Sequence, residues 1–246
     1  MARSLNGSTD FITITGGTST LTSATPQSVS LWVYVTAYPA SLAGLVVLRG
    51  GGGGSFVALY IESDGKLQAY MSVGGINPGN TIISLNTWTN VVLTTDGGAT
   101  GTMATFIAGS ADATVSGSNV SGYVTPLSGV TCNIGADEGF ASTRRFNGRI
   151  ADVGIWNGAA LTALEIKALS LGVRPGVIRP KSLQIWFPLS GLQSPEPDLS
   201  GSATSSTLTG TTSAFDPPLL PFTRRWPQKL IDAVVSPFTL MPQIIT

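Results

Sequence analysis

Phe146 to Leu171 reads F-N-G-R-I-A-D-V-G-I-W-N-G-A-A-L-T-A-L-E-I-K-A-L-S-L. Ile150, Val153 and Ile155 supply the branched apolar residues of a strand, and Asn157-Gly158 is a strong turn dipeptide. Ile150 and Val153 are an odd number of positions apart, so a bulge must reset the facing, with Asp152 inside it as a hydrogen-bonding residue. Thr162 and Glu165 then form T-x-x-E, a capping box in which each side chain satisfies an open backbone donor of a helix start. Leu161 and Ile166 flank that cap at the spacing of a hydrophobic staple. Gly172 ends the helix, and Arg174-Pro175 prevents it from resuming. A strand, a turn and one short capped helix therefore sit in a chain that otherwise reads as strands.

Composition supports an all-β class. Only 11% of the 246 residues are charged, against roughly 25% in ordinary soluble domains, while 30 are glycine. The formal net charge is zero, which leaves no basic footprint for nucleic acid. No apolar run approaches the roughly 20 residues of a membrane-spanning helix, so membrane insertion is not expected. The start, M-A-R-S-L-N-G-S-T-D-F, lacks the apolar segment of a signal peptide. The single cysteine, Cys132, reads as a small buried hydrophobe in the strand V-T-C-N-I-G.

Taken in order, Arg3 to Thr15 reads as a strand pair around Asn6-Gly7. Ser28 to Tyr38 is apolar on both faces, which predicts a central strand covered on both sides. Further strands are expected at Leu45 to Leu48, Phe56 to Ile61, Leu67 to Val73, Thr81 to Leu85, Trp88 to Thr95, Met103 to Ile107 and Val130 to Ile134. The five glycines Gly50 to Gly54 lack the Lys-Ser or Lys-Thr and following helix of a phosphate loop, and read as a hairpin linker.

A-R-S-L-N-G-S-T-D-F-I, N-T-W-T-N-V-V-L-T-T-D-G-G and the opening stretch together resemble the laminin G-like, concanavalin A-like lectin–glucanase jelly rolls. That resemblance implies a two-sheet sandwich with one short helix. Asn90 stands where many relatives carry histidine. The family's opening block comes last here: Ile185 to Leu189, then Asp198-Leu199-Ser200-Gly201, then Thr207 to Thr211. The order is that of a circularly permuted domain over 1–213, followed by an extended arm over 214–246. Chains in this rotated order resemble tailed-phage virion proteins, which implies a particle assembled in the host cytoplasm.

The arm holds six of the fifteen prolines, yet Phe222, Trp226, Leu230 and Phe238 make it too apolar for a solvated tail. Two placements are open, on its own sandwich or on a neighbouring copy or another virion protein. In the second, Phe222 and Trp226 anchor the contact, Leu230 and Phe238 belong to the same binding arm, and Arg224 and Arg225 lie at its rim.

Chemistry is scarce. Without histidine, Ser-His-Asp and Cys-His machinery and histidine metal sites are excluded. The four glutamates, Glu62, Glu138, Glu165 and Glu196, are scattered singly, unlike the paired glutamates of the glucanase relatives. Asp137-Glu138 is the nearest thing to a carboxylate pair; in a loop it would be a Ca²⁺ candidate, and otherwise two solvated acids. No other cofactor is expected. Two function classes follow: a non-enzymatic virion structural protein, as capsid decoration or fibre-associated jelly roll, or a carbohydrate-binding lectin or adhesion module. For the second, Tyr38, Tyr70 and Phe140 are the aromatics available to stack on glycans, including those of a host surface.

Overall fold

The computed structural model describes residues 1–15, 25–49, 55–71, 75–97, 101–116, 131–137, 142–202 and 204–220. One sheet, A, contains β1 (Ala2–Asn6), β3 (Gln27–Ala37), β8 (Trp88–Thr95), β9 (Thr102–Ile107), β10 (Ser110–Ser116), β12 (Asn147–Asn157), β13 (Leu183–Phe187) and β15 (Thr212–Ala214). The other, B, contains β2 (Phe11–Thr15), β4 (Leu42–Arg49), β5 (Ser55–Glu62), β6 (Leu67–Met71), β7 (Gly75–Pro78), β11 (Thr131–Ile134) and β14 (Ser205–Thr209). Sheet A runs β10-β9-β8-β3-β12-β1-β15 with β13 also on β12, and sheet B runs β14-β2-β11-β4-β5-β6-β7. The apolar core lies between them, with Leu31, Val33, Ile150, Val153 and Phe187 from sheet A against Ile12, Ile14, Leu45, Leu48 and Leu59 from sheet B. The all-β jelly roll, with one α-helix among the described residues, is as the sequence reads, and β3 is central and buried along most of its length.

Three strand readings need correction. Arg3 to Thr15 is no hairpin: β1 joins sheet A and β2 joins sheet B, so Asn6 to Asp10 turns a corner between the sheets. Asn6 Oδ1 accepts from the backbone N–H groups of Ser8, Thr9 and Asp10 there, at 2.9–3.2 Å. Thr81 to Leu85 is irregular, despite its branched residues. Asp112 Oδ1 accepts from the N–H groups of Asn80 and Thr81, and Ile83 N–H donates to Gly65, so local polar partners override β propensity. Conversely β10, S-A-D-A-T-V-S, is too weakly apolar to announce itself. It forms because Ala108 and Gly109, both at positive φ, make the tight turn that folds it back on β9. Gly50 to Gly54 lie outside the described residues, but the strands they join do pair antiparallel. The side chain of Cys132 is likewise outside them.

The opening stretch folds as read. Thr162 caps the helix α1 (Ala163–Ser170) in a complete capping box, and Leu161 and Ile166 are both buried against the outer face of sheet A. The register of β12 on β3 slips between Ala151 and Gly154, with Asp152 at φ 54°. Its N–H donates to the Pro188 carbonyl, while its carboxylate accepts from Trp186 Nε1 at 2.9 Å and Arg174 at 3.2 Å. Burial pushes this carboxyl up to about 6, against the pull of Arg174 and the Trp186 N–H. Because the folded state holds the proton more tightly than the unfolded chain, this group stabilises the fold below about pH 4, and the contribution is lost as pH rises through about 6. The span corresponds to an effect on the order of 3 kcal/mol. Asp152→Asn, which suits positive φ and still accepts from Trp186, should flatten that slope and raise Tm at pH 7.5. Thermal melts across pH 4–8 test this; a Tm several degrees lower at pH 7.5 would show that the ionised carboxylate is required.

Residues 183–214 complete the same sandwich. Phe187 pairs with Val153, Thr207 with Thr13 and Ser213 with Arg3. Glu196, buried in the loop between β13 and β14, takes the Arg3 Nε at 2.7 Å. The arm begins on its own subunit. Phe215 lies against Tyr34 and Trp88, Leu219 covers Trp32, and Leu220 N–H donates to the Gly172 carbonyl after α1. Thus α1 and residues 214–220 both lie on the outer face of sheet A. Phe222, Arg224, Arg225, Trp226, Leu230 and Phe238 are outside the described residues.

Candidate functional site

The outer face of sheet B carries the side chains that its strands alternate away from the core. In β5 and β6 these are Ala58, Tyr60 and Tyr70; Tyr60 pairs with Gln68 and Ala58 with Tyr70, so the two tyrosines are diagonal neighbours. Their rings meet edge to face at 5.6 Å. Val47 and Leu42 of β4 pack beside them.

Residues 135–137 cross β4 at this point. They come so close that a Cβ on Gly44 would stand 2.4 Å from the Ala136 carbonyl oxygen, so only glycine admits the crossing. The crossing places Asp137 over Tyr60, whose hydroxyl donates to Oδ1 at 2.8 Å, while Arg144 Nη1 donates to Oδ2 at 2.6 Å. Asp137 is buried, whereas the Arg144 side chain is 46% exposed. The hydrogen bond and charge of Asp137 raise the Arg144 guanidinium above even its usual range, so it is a permanent cation. Next to this, Asn133 packs its amide against Thr13 and the Asp137 carbonyl at 3.5 Å, and Arg145 stacks on Phe11 at 4.6 Å. The face thus combines a partly buried aromatic ring, a fixed guanidinium, hydroxyls and an amide.

Of the residues singled out from sequence, Tyr70 and Asp137 fall here together. Tyr38 does not: its ring lies against Gly65 and its hydroxyl donates to the Ile83 carbonyl, a buttress for the 79–87 loop. Glu138 and Phe140 are outside the described residues. Asp137 gives one oxygen to Tyr60 and the other to Arg144. Among the described residues no three of Asp, Glu or Cys come together. Asn90, at the family's histidine position, is buried on the outer face of sheet A and donates to Ser30 Oγ and the Leu31 carbonyl. Tyr60 and Arg144 escaped the sequence reading. The alternation of β5 marked Tyr60 as outward-facing, but no sequence signal announced the loop crossing that brings Arg144 to it.

The family model described as the concanavalin A-like lectin/glucanases superfamily matches residues 6–167. That match stops short of β13 to β15, which the fold nevertheless places in the same two sheets. No curated protein matches the sequence. Among solved structures, a candidate carbohydrate-binding protein from Bacteroides ovatus is 20% identical with a TM-score of 0.67, over 89% of this chain and 62% of that one. Domain 4 of an extracellular arabinanase from Geobacillus stearothermophilus, in complex with arabinotriose, is 20% identical with a TM-score of 0.54, over 69% and 76%. A native heptameric SAP-like pentraxin from Limulus polyphemus is 17% identical with a TM-score of 0.52, over 69% and 81%. At these identities the likeness is one of fold.

Proposed function

The chain belongs to the concanavalin A-like lectin/glucanase superfamily, and on that footing we propose that it is a carbohydrate-binding module whose outer sheet B face takes a neutral glycan. The observation that carries this reading is the partly buried Tyr70 ring, packed on Tyr60 close to the Asp137-fixed guanidinium of Arg144. A sugar presents an apolar C–H face to an aromatic ring and hydroxyl oxygens to cationic donors, and both are offered here at fixed positions. Rigid partners matter, because a side chain already held by packing loses little entropy on binding. The arabinotriose complex and the Bacteroides protein support the same reading by analogy of fold. The virion reading, with its partner-binding arm, has no counterpart among these neighbours. A catalytic role has little to work with: the chain has no histidine, and Asp137 is tied to Arg144 and Tyr60.

Screening the purified protein on a glycan array, followed by calorimetry on the best neutral ligand, tests the proposal. Tyr70→Ala and Arg144→Ala should each weaken binding about tenfold, or about 1.4 kcal/mol, with unchanged circular dichroism. An array on which the wild type binds nothing, or two variants that bind as the wild type does, overturns it.

A further inference from the structure

A second row of side chains lies on the opposite face of the sandwich. Arg149 of β12 pairs with Tyr34 of β3, and Tyr34 with Trp88 of β8, so one guanidinium and two rings stand side by side across three adjacent strands. Tyr34 and Trp88 meet at 5.6 Å. The Arg149 guanidinium lies 4.5 Å from the centre of the Tyr34 ring. Phe215 caps the row: it is 3.8 Å from the same guanidinium and edge-on to both rings, yet 51% exposed.

This cover fits poorly in one respect. Arg149 has no carboxylate partner among the described residues, and its Nη1, like Trp88 Nε1, is buried without an acceptor. Asn90 Oδ1, one row further along, is also buried and unpartnered. A buried donor left unsatisfied costs about 1–3 kcal/mol. The Phe215 ring lies against Arg149 and Trp88 and offers no acceptor to either N–H donor. The row therefore has donors prepared for a ligand that supplies what phenylalanine lacks.

We propose that the Arg149–Tyr34–Trp88 row is a binding subsite for an acidic sugar residue, which Phe215 occupies when no ligand is bound. An acidic sugar is a ring with an apolar face for Tyr34 and Trp88. Its carboxylate matches the guanidinium fork of Arg149, and its ring or hydroxyl oxygens accept from Trp88 Nε1. Phe215 stands in for the ring and leaves the oxygen positions empty. Since Phe215 opens the segment that runs by Leu219 to Gly172, ligand entry also lifts the root of the arm. The inference rests on the carbohydrate-binding reading and extends it to a second, charge-selective site.

The test uses the full chain with two probes, trigalacturonate and a neutral trisaccharide taken from the array, both followed by calorimetry at low and high salt. Trigalacturonate should bind, more weakly at high salt. Arg149→Gln should weaken it at least about tenfold, whereas Phe215→Ala should tighten it several-fold because the competing ring is gone. The opposite directions separate a binding role from simple loss of fold. Neutral binding without acidic binding overturns this inference and leaves the proposed function standing. So does acidic binding that is indifferent to both substitutions. Binding of neither probe, nor of any other glycan on the array, overturns both.

Discussion

Replacing Glu196 with alanine is expected to remove a large part of the protein's folding stability. Its fully buried carboxylate accepts from Arg3 Nε and the Gly191 N–H, both at 2.7 Å, and from the N–H and hydroxyl of Ser190 at 3.1 and 3.3 Å. The Arg3 side chain is only 7% exposed and also donates to the Gln193 carbonyl. Truncation strands a buried guanidinium and two backbone donors at once. Breaking one such buried pair costs about 3–5 kcal/mol, against a total stability of about 5–15 kcal/mol for a typical domain. Glu196→Gln keeps an acceptor but not the charge and should fall between. Urea midpoints of the three proteins decide the matter; a Glu196→Ala protein within 1 kcal/mol of wild type would show that the loop relaxes to expose Arg3.

The second large effect concerns where the chain can be cut. A protein ending at Leu183 should be insoluble or molten, because Ile185, Phe187 and Leu189 leave the core and β2, β12 and β1 lose their partners β14, β13 and β15. Three fully buried side chains alone contribute about 5–9 kcal/mol. Ending at Ser213 was the limit suggested by the sequence. In the structure Phe215, Leu219 and Leu220 also pack on sheet A. The chain ending at Ser213 should fold but melt measurably lower than the one ending at Leu220. Equal melting of those two, or cooperative unfolding of the chain ending at Leu183, would contradict this account.

Much of the fold was legible because local chemistry and global packing agree at the decisive stretch. The Thr162–Glu165 box, the Leu161–Ile166 staple and the bulge at Asp152 are all set within a few residues. Legibility failed where long-range partners decide. The fate of Thr81 to Leu85 depends on Asp112, about thirty positions later, which cannot be weighed from propensity. The site divides the same way. Tyr70 was readable as an outward ring, and Asp137 as one half of the Asp137-Glu138 acid pair. That they meet follows from Gly44, whose missing side chain lets the 135–137 segment lie on β4. The Arg149–Tyr34–Trp88 row needs the register of three strands, which the sequence does not print.

The pairing of Ala2 with Ala214 and of Thr15 with Ser205 has a consequence for the order of events on the ribosome. β1 and β2 are made about 200 residues before the strands β15 and β14 that close their outer edges. Until those later strands emerge, both nascent edges stand open to any passing strand. Folding that waits for so distant a partner is slow, and its intermediates are sticky. The corner at Asn6 to Asp10, rich in local hydrogen bonds, keeps the two early strands from pairing with each other during that delay.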